Sequence, residues 1–177
     1  MIPAGPILQI LLQLPACYED RNDSSYPERM AIIAHSIAAV SDNDDEAATL
    51  VTIASFESGL CRAVHEGRKR GGPGEGLWQI EPGSHRVPPF SGLSFEATEH
   101  AAGEALWLWR HSFQCGPSLE SRFKGYGGRS CSEAWTGASR RARFAGWLTQ
   151  KLKSLALAES TILEITNPAS LAKNAGR

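Results

Sequence analysis

No run in this 177-residue chain reaches the ~18 uninterrupted apolar residues that a membrane span requires, so no stable membrane insertion is expected. Charge of one sign is lacking too: 18 Lys and Arg against 19 Asp and Glu leave a net charge of −1. That balance argues against a strongly basic nucleic-acid-binding body, although a neutral whole still accommodates a local basic stripe. There is no internal repeat. What is present, 42% apolar and 21% charged residues, is ordinary globular composition, and the length fits one domain spanning 1–177.

The first segment, MIPAGPILQILLQLPAC, lacks the basic leader of a secretory signal and carries Gln9 and Gln13 in its middle. Ile7, Leu11 and Leu14 fall at i, i+4 and i+7, and Pro6 suits a first helical turn, so a core-packing helix is expected. Leu14-Pro15-Ala16-Cys17 also resembles a bacterial lipoprotein cleavage box, which leaves an export or lipid signal as the competing reading.

Further on, an alanine-rich helix is predicted from about Pro27 to Val40. SDNDDE then offers caps and acidic first-turn residues to a helix through Leu50, Val51, Ile53, Ala54 and Phe56. This helix is apolar on nearly every side, so it should be central and buried, and Gly59 suits its C-terminal end. Five glycines and one proline between Arg62 and Gly76 predict a long loop or small hairpin. Helices are expected again from Ser94 through Trp109 to an end near Cys115-Gly116-Pro117, over SLESRF, and from a cap at Ser132 through Trp135, Phe144, Trp147 and Leu148. The fold class read from this pattern is mainly α, with an irregular or β-hairpin section near residues 62–82 and a weakly periodic tail over 158–177, expected to be flexible.

The central helix ends on Glu57. A carboxylic acid at a buried helix C-terminus is costly to ionise, and protonated carboxyls are what general-acid attack on a glycosidic oxygen requires. A structural, partner-bound glutamate fits the same pattern.

Glu57-Ser58-Gly59, followed about twenty residues later by Gly76-Leu77-Trp78-Gln79-Ile80-Glu81-Pro82, resembles the paired motifs of the lysozyme-like lytic transglycosylases. In that family Glu-Ser ends a central helix and a Gly-Leu-Met-Gln type segment follows. Tyr126-Gly127-Gly128 stands where the family has Tyr-Asn-x-Gly. The resemblance covers roughly Ala47 to Trp147 and implies a lysozyme-like domain with its catalytic core at about 27–157. It further implies cleavage of the MurNAc–GlcNAc β-1,4 bond of peptidoglycan, with neither metal nor organic cofactor. Glu57 is then the acid, and afterwards the base toward the muramic 6-hydroxyl. Ser58, Leu77, Trp78, Gln79 and Tyr126 are the implied substrate-binding set, with the Tyr126 hydroxyl placed near Glu57.

The chain departs from the family at Gly127, in place of Asn, and at Trp78, in place of Met. Animal-type lysozymes carry an Asp two residues before the motif glycine, where this chain has Gly74; Glu75 lies one residue off and, by strand alternation, points elsewhere. A transglycosylase is therefore expected ahead of a hydrolytic lysozyme. A non-catalytic wall-binding or virion structural protein on the same scaffold is the alternative from another class.

Arg62, Arg68, Lys69 and Arg70 read either as a solvated loop or as a means of steering toward an anionic wall, and Ser139 to Arg143 reads as exposed surface. Of the five tryptophans only Trp78 is expected to line a cleft. Cys17, Cys61, Cys115 and Cys131 admit three pairings; a Cys115–Cys131 bridge would bracket Tyr126. Cys61 with His65, and His111 with Cys115, form a rival zinc-ligand set. Peptidoglycan strands are the expected partner, a monomer the expected state, and the cell envelope, periplasm or a phage particle the expected location.

Overall fold

The computed structural model describes residues 2–69, 73–83 and 88–166, which are mainly helical with scarcely any strand. The helices are α1 (Ala4–Gln13), α2 (Tyr26–Val40), α3 (Asp44–Glu57), α4 (Arg62–His65), α5 (Phe95–Arg110), α6 (Leu119–Tyr126) and α7 (Thr136–Thr166).

Helix α3 is the axis of the fold. Ala47 through Ala54 are all buried, as a segment without a polar face requires. Its start is fixed by Asn43, whose side chain accepts from the Glu46 backbone N–H at 3.0 Å, while Glu46 accepts from the Asp42 N–H at 2.9 Å. Thr52, Ser55 and Ser58 each donate to the carbonyl four residues back at 2.7 Å, which lets hydroxyls enter this apolar environment. Helix α7 packs along α3, α2 packs on α5 and α1, and α6 packs on α7.

The first segment is a core helix: Ile7, Ile10 and Leu11 of α1 are buried, and the Cys17 sulfur is bonded to Cys61. Ser94 caps α5 by accepting from the Ala97 N–H, and the helix ends at Arg110, short of the expected end near Cys115, where the His111 N–H turns back to the Trp107 and Leu108 carbonyls. The expected cap at Ser132 is not one. Helix α7 starts at Thr136, and Ser132 sits in an exposed turn with its hydroxyl against that of Ser130 at 3.0 Å. Helix α7 also continues to Thr166, through the first part of the predicted tail; residues 167–177 lie outside the described residues.

In the irregular section, α4 is followed by a turn closed by Glu75 and Ile80, which exchange two backbone hydrogen bonds of 3.0 Å. Glycine is required there. At Gly76, φ is +66° and a Cβ would lie 1.7 Å from the Phe90 carbonyl oxygen.

Candidate active site

Glu57 is the last residue of α3. The chain reverses immediately after it through Gly59 and Leu60, at φ +60° and +57°. Leu60 adopts a conformation disfavoured for a side-chain-bearing residue, and the surroundings hold it there. Arg29, 3% exposed, donates to the Leu60 carbonyl at 2.7 Å and to Asp20 Oδ2 at 2.6 Å. The same Asp20 oxygen accepts the Arg62 backbone N–H at 2.7 Å, and the Cys17–Cys61 disulfide ties down the next residue. Burial lowers the Arg29 guanidinium from its ordinary value, a cost opposed by Asp20. These groups fix where α3 ends, and hence where Glu57 sits.

Glu57 opens into a cleft of about 530 Å³ whose wall includes Gly74, Gln79, Glu81, Tyr126 and Arg129. That volume suits a small-molecule or glycan segment. The structure brings Glu57, Gln79 and Tyr126 together, as the motif resemblance implies. Gln79 is held at φ +50°, with its side-chain amide donating to the Gly76 carbonyl at 2.9 Å. The Tyr126 hydroxyl donates to the Trp78 carbonyl at 3.0 Å, fastening the end of α6 to the 75–80 turn.

Three of the expected substrate-binding residues support the cleft from behind instead of lining it. Ser58 is 7% exposed, donates to the Ala54 carbonyl and accepts from the Leu60 N–H at 3.2 Å, so it closes the helix. Leu77 and Trp78 are buried in the core, and the Trp78 indole N–H donates to the Leu50 carbonyl of α3 at 3.0 Å. An indole with both its apolar body and its N–H satisfied beneath α3 leaves only its backbone carbonyl toward Tyr126.

Besides Arg129 of the cleft wall, two residues that were not anticipated add charge around Glu57. Arg141 of α7, expected at the surface, donates through Nη2 to Glu57 Oε1 at 2.7 Å; the two side chains are 11% and 25% exposed. Its guanidinium lies over Phe56 and Trp135, 5.0 and 4.5 Å from the ring centroids. Gly137, one turn earlier, leaves it room: a Cβ there would stand 2.9 Å from Arg141 Nη1 and 2.6 Å from Trp135 Nε1. No local pattern links positions 84 residues apart, so the sequence carried no signal for this pair. Glu81 did carry one. It lies two residues beyond Gln79 in the same motif segment, and both line the cleft, with buried Ile80 between them.

Glu75 borders a separate cavity of about 50 Å³ with Lys69 and Ser91, away from Glu57. At Gly74, a Cβ would fall 2.2 Å from the Gln79 carbonyl oxygen, so this backbone excludes an aspartate at that position. The zinc arrangement fails because Cys61 and Cys115 are held in different disulfides, Cys17–Cys61 and Cys115–Cys131. In the basic loop Arg62 pairs with Asp23 and Glu66, Arg68 with Glu66, and Lys69 with Glu19; Arg70 lies outside the described residues.

Another concavity, of about 470 Å³, lies at the opposite end of α3. There Arg110 bonds Asp42 and Glu46, and Arg122 is covered by Trp109 and Phe113 and donates to the Trp109 carbonyl, while its buried Nε has no hydrogen-bond partner. Such a junction braces helices against one another.

Comparison of the chain with protein-family models, with curated proteins and with solved structures finds no significant match.

Proposed function

We propose that this chain is a peptidoglycan lytic transglycosylase with a lysozyme-like helical fold, cleaving the MurNAc–GlcNAc β-1,4 bond to leave 1,6-anhydroMurNAc ends. The observation that carries the reading is the placement of Glu57, ending a buried central helix and facing a 530 Å³ cleft that also contains Gln79 and Tyr126.

In this reading Glu57 transfers its proton to the glycosidic oxygen as the bond to the anomeric carbon breaks. The substrate's own acetamido oxygen meets the positive charge at that carbon, so a second carboxylate is not needed. Glu57, now ionised, takes the proton of the muramic 6-hydroxyl while that oxygen closes on the anomeric carbon. The proton returns to Glu57 and no water is consumed. Arg141, bonded to Glu57 Oε1 at 2.7 Å, holds the carboxyl group in one orientation through both steps. Gln79 and Tyr126 hold the sugar, and no cofactor is invoked. Two disulfides suit an oxidising location such as the periplasm, the cell envelope or a phage particle.

Glu81 favours one second reading, a hydrolytic lysozyme. A carboxylate in the same cleft as Glu57 is placed to activate water.

Mass spectrometry of peptidoglycan digested by the protein, beside Glu57→Gln, tests both. Anhydro ends absent from the variant digest support the transglycosylase, and reducing muramic ends support the hydrolase. No fragments from a folded protein would leave a wall-binding or virion structural role.

A further inference from the structure

An unusual surface begins directly behind Glu57. The Arg141 guanidinium that pairs with Glu57 lies over Phe56, the Phe56 ring meets Phe144 edge-on at 5.7 Å, and Phe144 stacks on Trp147 at 5.6 Å with 26° between planes. Phe56 is 36% exposed and Trp147 52% exposed. Isolated exposed rings are ordinary, but a contiguous row of them running from an ionisable cleft residue is not.

The charges that α7 contributes around the row have one sign. Helical spacing puts Arg140, Phe144, Trp147 and Lys151 on one face of α7, with Arg143 at its flank. Arg140 and Arg143 are exposed, and α7 carries no carboxylate from Thr136 to Ala158. Arg140 to Lys151 spans about 16 Å along the helix. This cationic aromatic face contrasts with a chain of net charge −1.

We infer that Phe56, Phe144 and Trp147, with Arg140, Arg143 and Lys151 around them, form a glycan-binding platform that extends the Glu57 cleft. It holds an amino-sugar strand by stacking pyranose C–H faces on the rings, while the cations meet carboxylates on the strand's acidic substituents. The inference rests on the glycan-cleaving reading above and deepens it. Two features select this occupant. The row is joined to Glu57 of the cleft by side-chain contacts through Arg141, and its charge complements a carboxylate-bearing glycan. An anionic lipid surface fits less well, because the broad apolar face of α7 (Ala138, Ala145, Leu148 and Leu152) is already used in the core.

The test uses the full chain in a Glu57→Gln background, so that binding is read without cleavage. Cosedimentation with purified peptidoglycan sacculi is compared for Glu57→Gln alone, with Trp147→Ala, with Trp147→Phe, and with Arg140→Gln/Arg143→Gln, each checked for an unchanged melting temperature. Trp147→Ala is expected to weaken binding about tenfold, Trp147→Phe only a few-fold, and the double arginine variant several-fold with a flatter salt dependence. Equal binding by Glu57→Gln and Glu57→Gln/Trp147→Ala, no binding by either, or Trp147-dependent binding to anionic phosphatidylglycerol vesicles but not to sacculi would each overturn the platform. A parallel digest with the otherwise unmodified chain separates the two claims. Fragment release with Trp147-independent binding removes the platform alone, and Trp147-dependent binding without fragment release removes the enzyme alone.

Discussion

Arg141 donates to Glu57 at 2.7 Å from a guanidinium laid over Phe56 and Trp135, so the candidate catalytic carboxylate is oriented by a cation that is itself held between rings. Neither partner rotates freely. The loop carrying Trp135 follows the Cys115–Cys131 bridge, and a Cβ at Gly127 of the cleft wall would stand 3.3 Å from the Trp135 ring. Cleft wall, ring, guanidinium and carboxylate thus form one packed series.

Arg141→Ala is therefore expected to lower kcat by about a hundredfold, the scale on which misplacement of a reacting group is felt, with KM changed much less. Arg141→Lys should recover part of the loss by restoring the charge, but not the planar fork or the ring stacking. Steady-state kinetics on soluble glycan fragments read this. A matching rise in KM at constant kcat would place Arg141 on the substrate instead of on Glu57.

His65 carries a pH dependence of stability. It is 2% exposed, its Nε2 lies 3.0 Å from Thr98 Oγ1, and its Nδ1 is buried without a partner. Thr98 uses its hydroxyl proton on the Ser94 carbonyl at 2.8 Å, so it accepts from the Nε2–H tautomer. Burial, with a smaller contribution from Arg29 and against a pull from Glu66, depresses the imidazole to about 3 from its ordinary 6.5. The unfolded chain then binds a proton that the folded chain refuses. The stability of the neutral histidine is fully present above pH 6.5 and is lost as pH falls toward 3, at about 1.4 kcal/mol per unit. Urea titrations at pH 7 and 4.5 should show His65→Gln losing less stability over this interval than the unmodified chain, by about 2.5 kcal/mol. Equal losses would refute the assignment.

The two disulfides act on different parts of the site. Cys115–Cys131 encloses α6 and Tyr126 at a separation of 16, and Cys17–Cys61 closes a separation of 44 beside the turn that follows Glu57. Loop-closure entropy predicts losses of about 3 and 4 kcal/mol when each pair is replaced by serine. Removing Cys115–Cys131 should also cut activity at temperatures where the protein remains folded, because Tyr126 and the Trp135 loop lose their tether. Thermal denaturation beside an activity assay at 20 °C separates the two effects.

How far the sequence could be read depended on whether a feature was local. The ends of α2 and α3, Glu57 at the close of α3 and the glycine-bound turn were visible because capping, periodicity and φ preference act within a few residues, whereas the start and end of α7 were not. Trp78 misled because an indole in a motif looks alike whether it faces a sugar or the underside of α3; only burial and the bond to Leu50 decide. Arg141 was hidden in a basic run because its partner is distant in the chain. Glu81 was legible and overlooked, since it belongs to the same motif segment as Gln79 and shares its cleft wall.

Gly74 supplies the sharpest steric test. Its missing Cβ would lie 2.2 Å from the Gln79 carbonyl oxygen and 2.9 Å from the Gln79 Cα, so the neighbour that must yield is backbone, in a residue already held at φ +50°. Gly74→Ala is expected to displace the 75–80 turn, destabilise the fold by roughly 3 kcal/mol or more, and abolish cleavage with it. Gly74→Asp should do the same and not add a second carboxylate. Gly128→Ala, on the same cleft wall at φ +62° with open space around it, is the control, and should cost only about 1 kcal/mol in conformation. Melting curves for the three variants decide the matter. If Gly74→Ala melts like the unmodified chain, the turn is looser than its contacts indicate, and an acidic side chain at 74 becomes a practical route to a hydrolase.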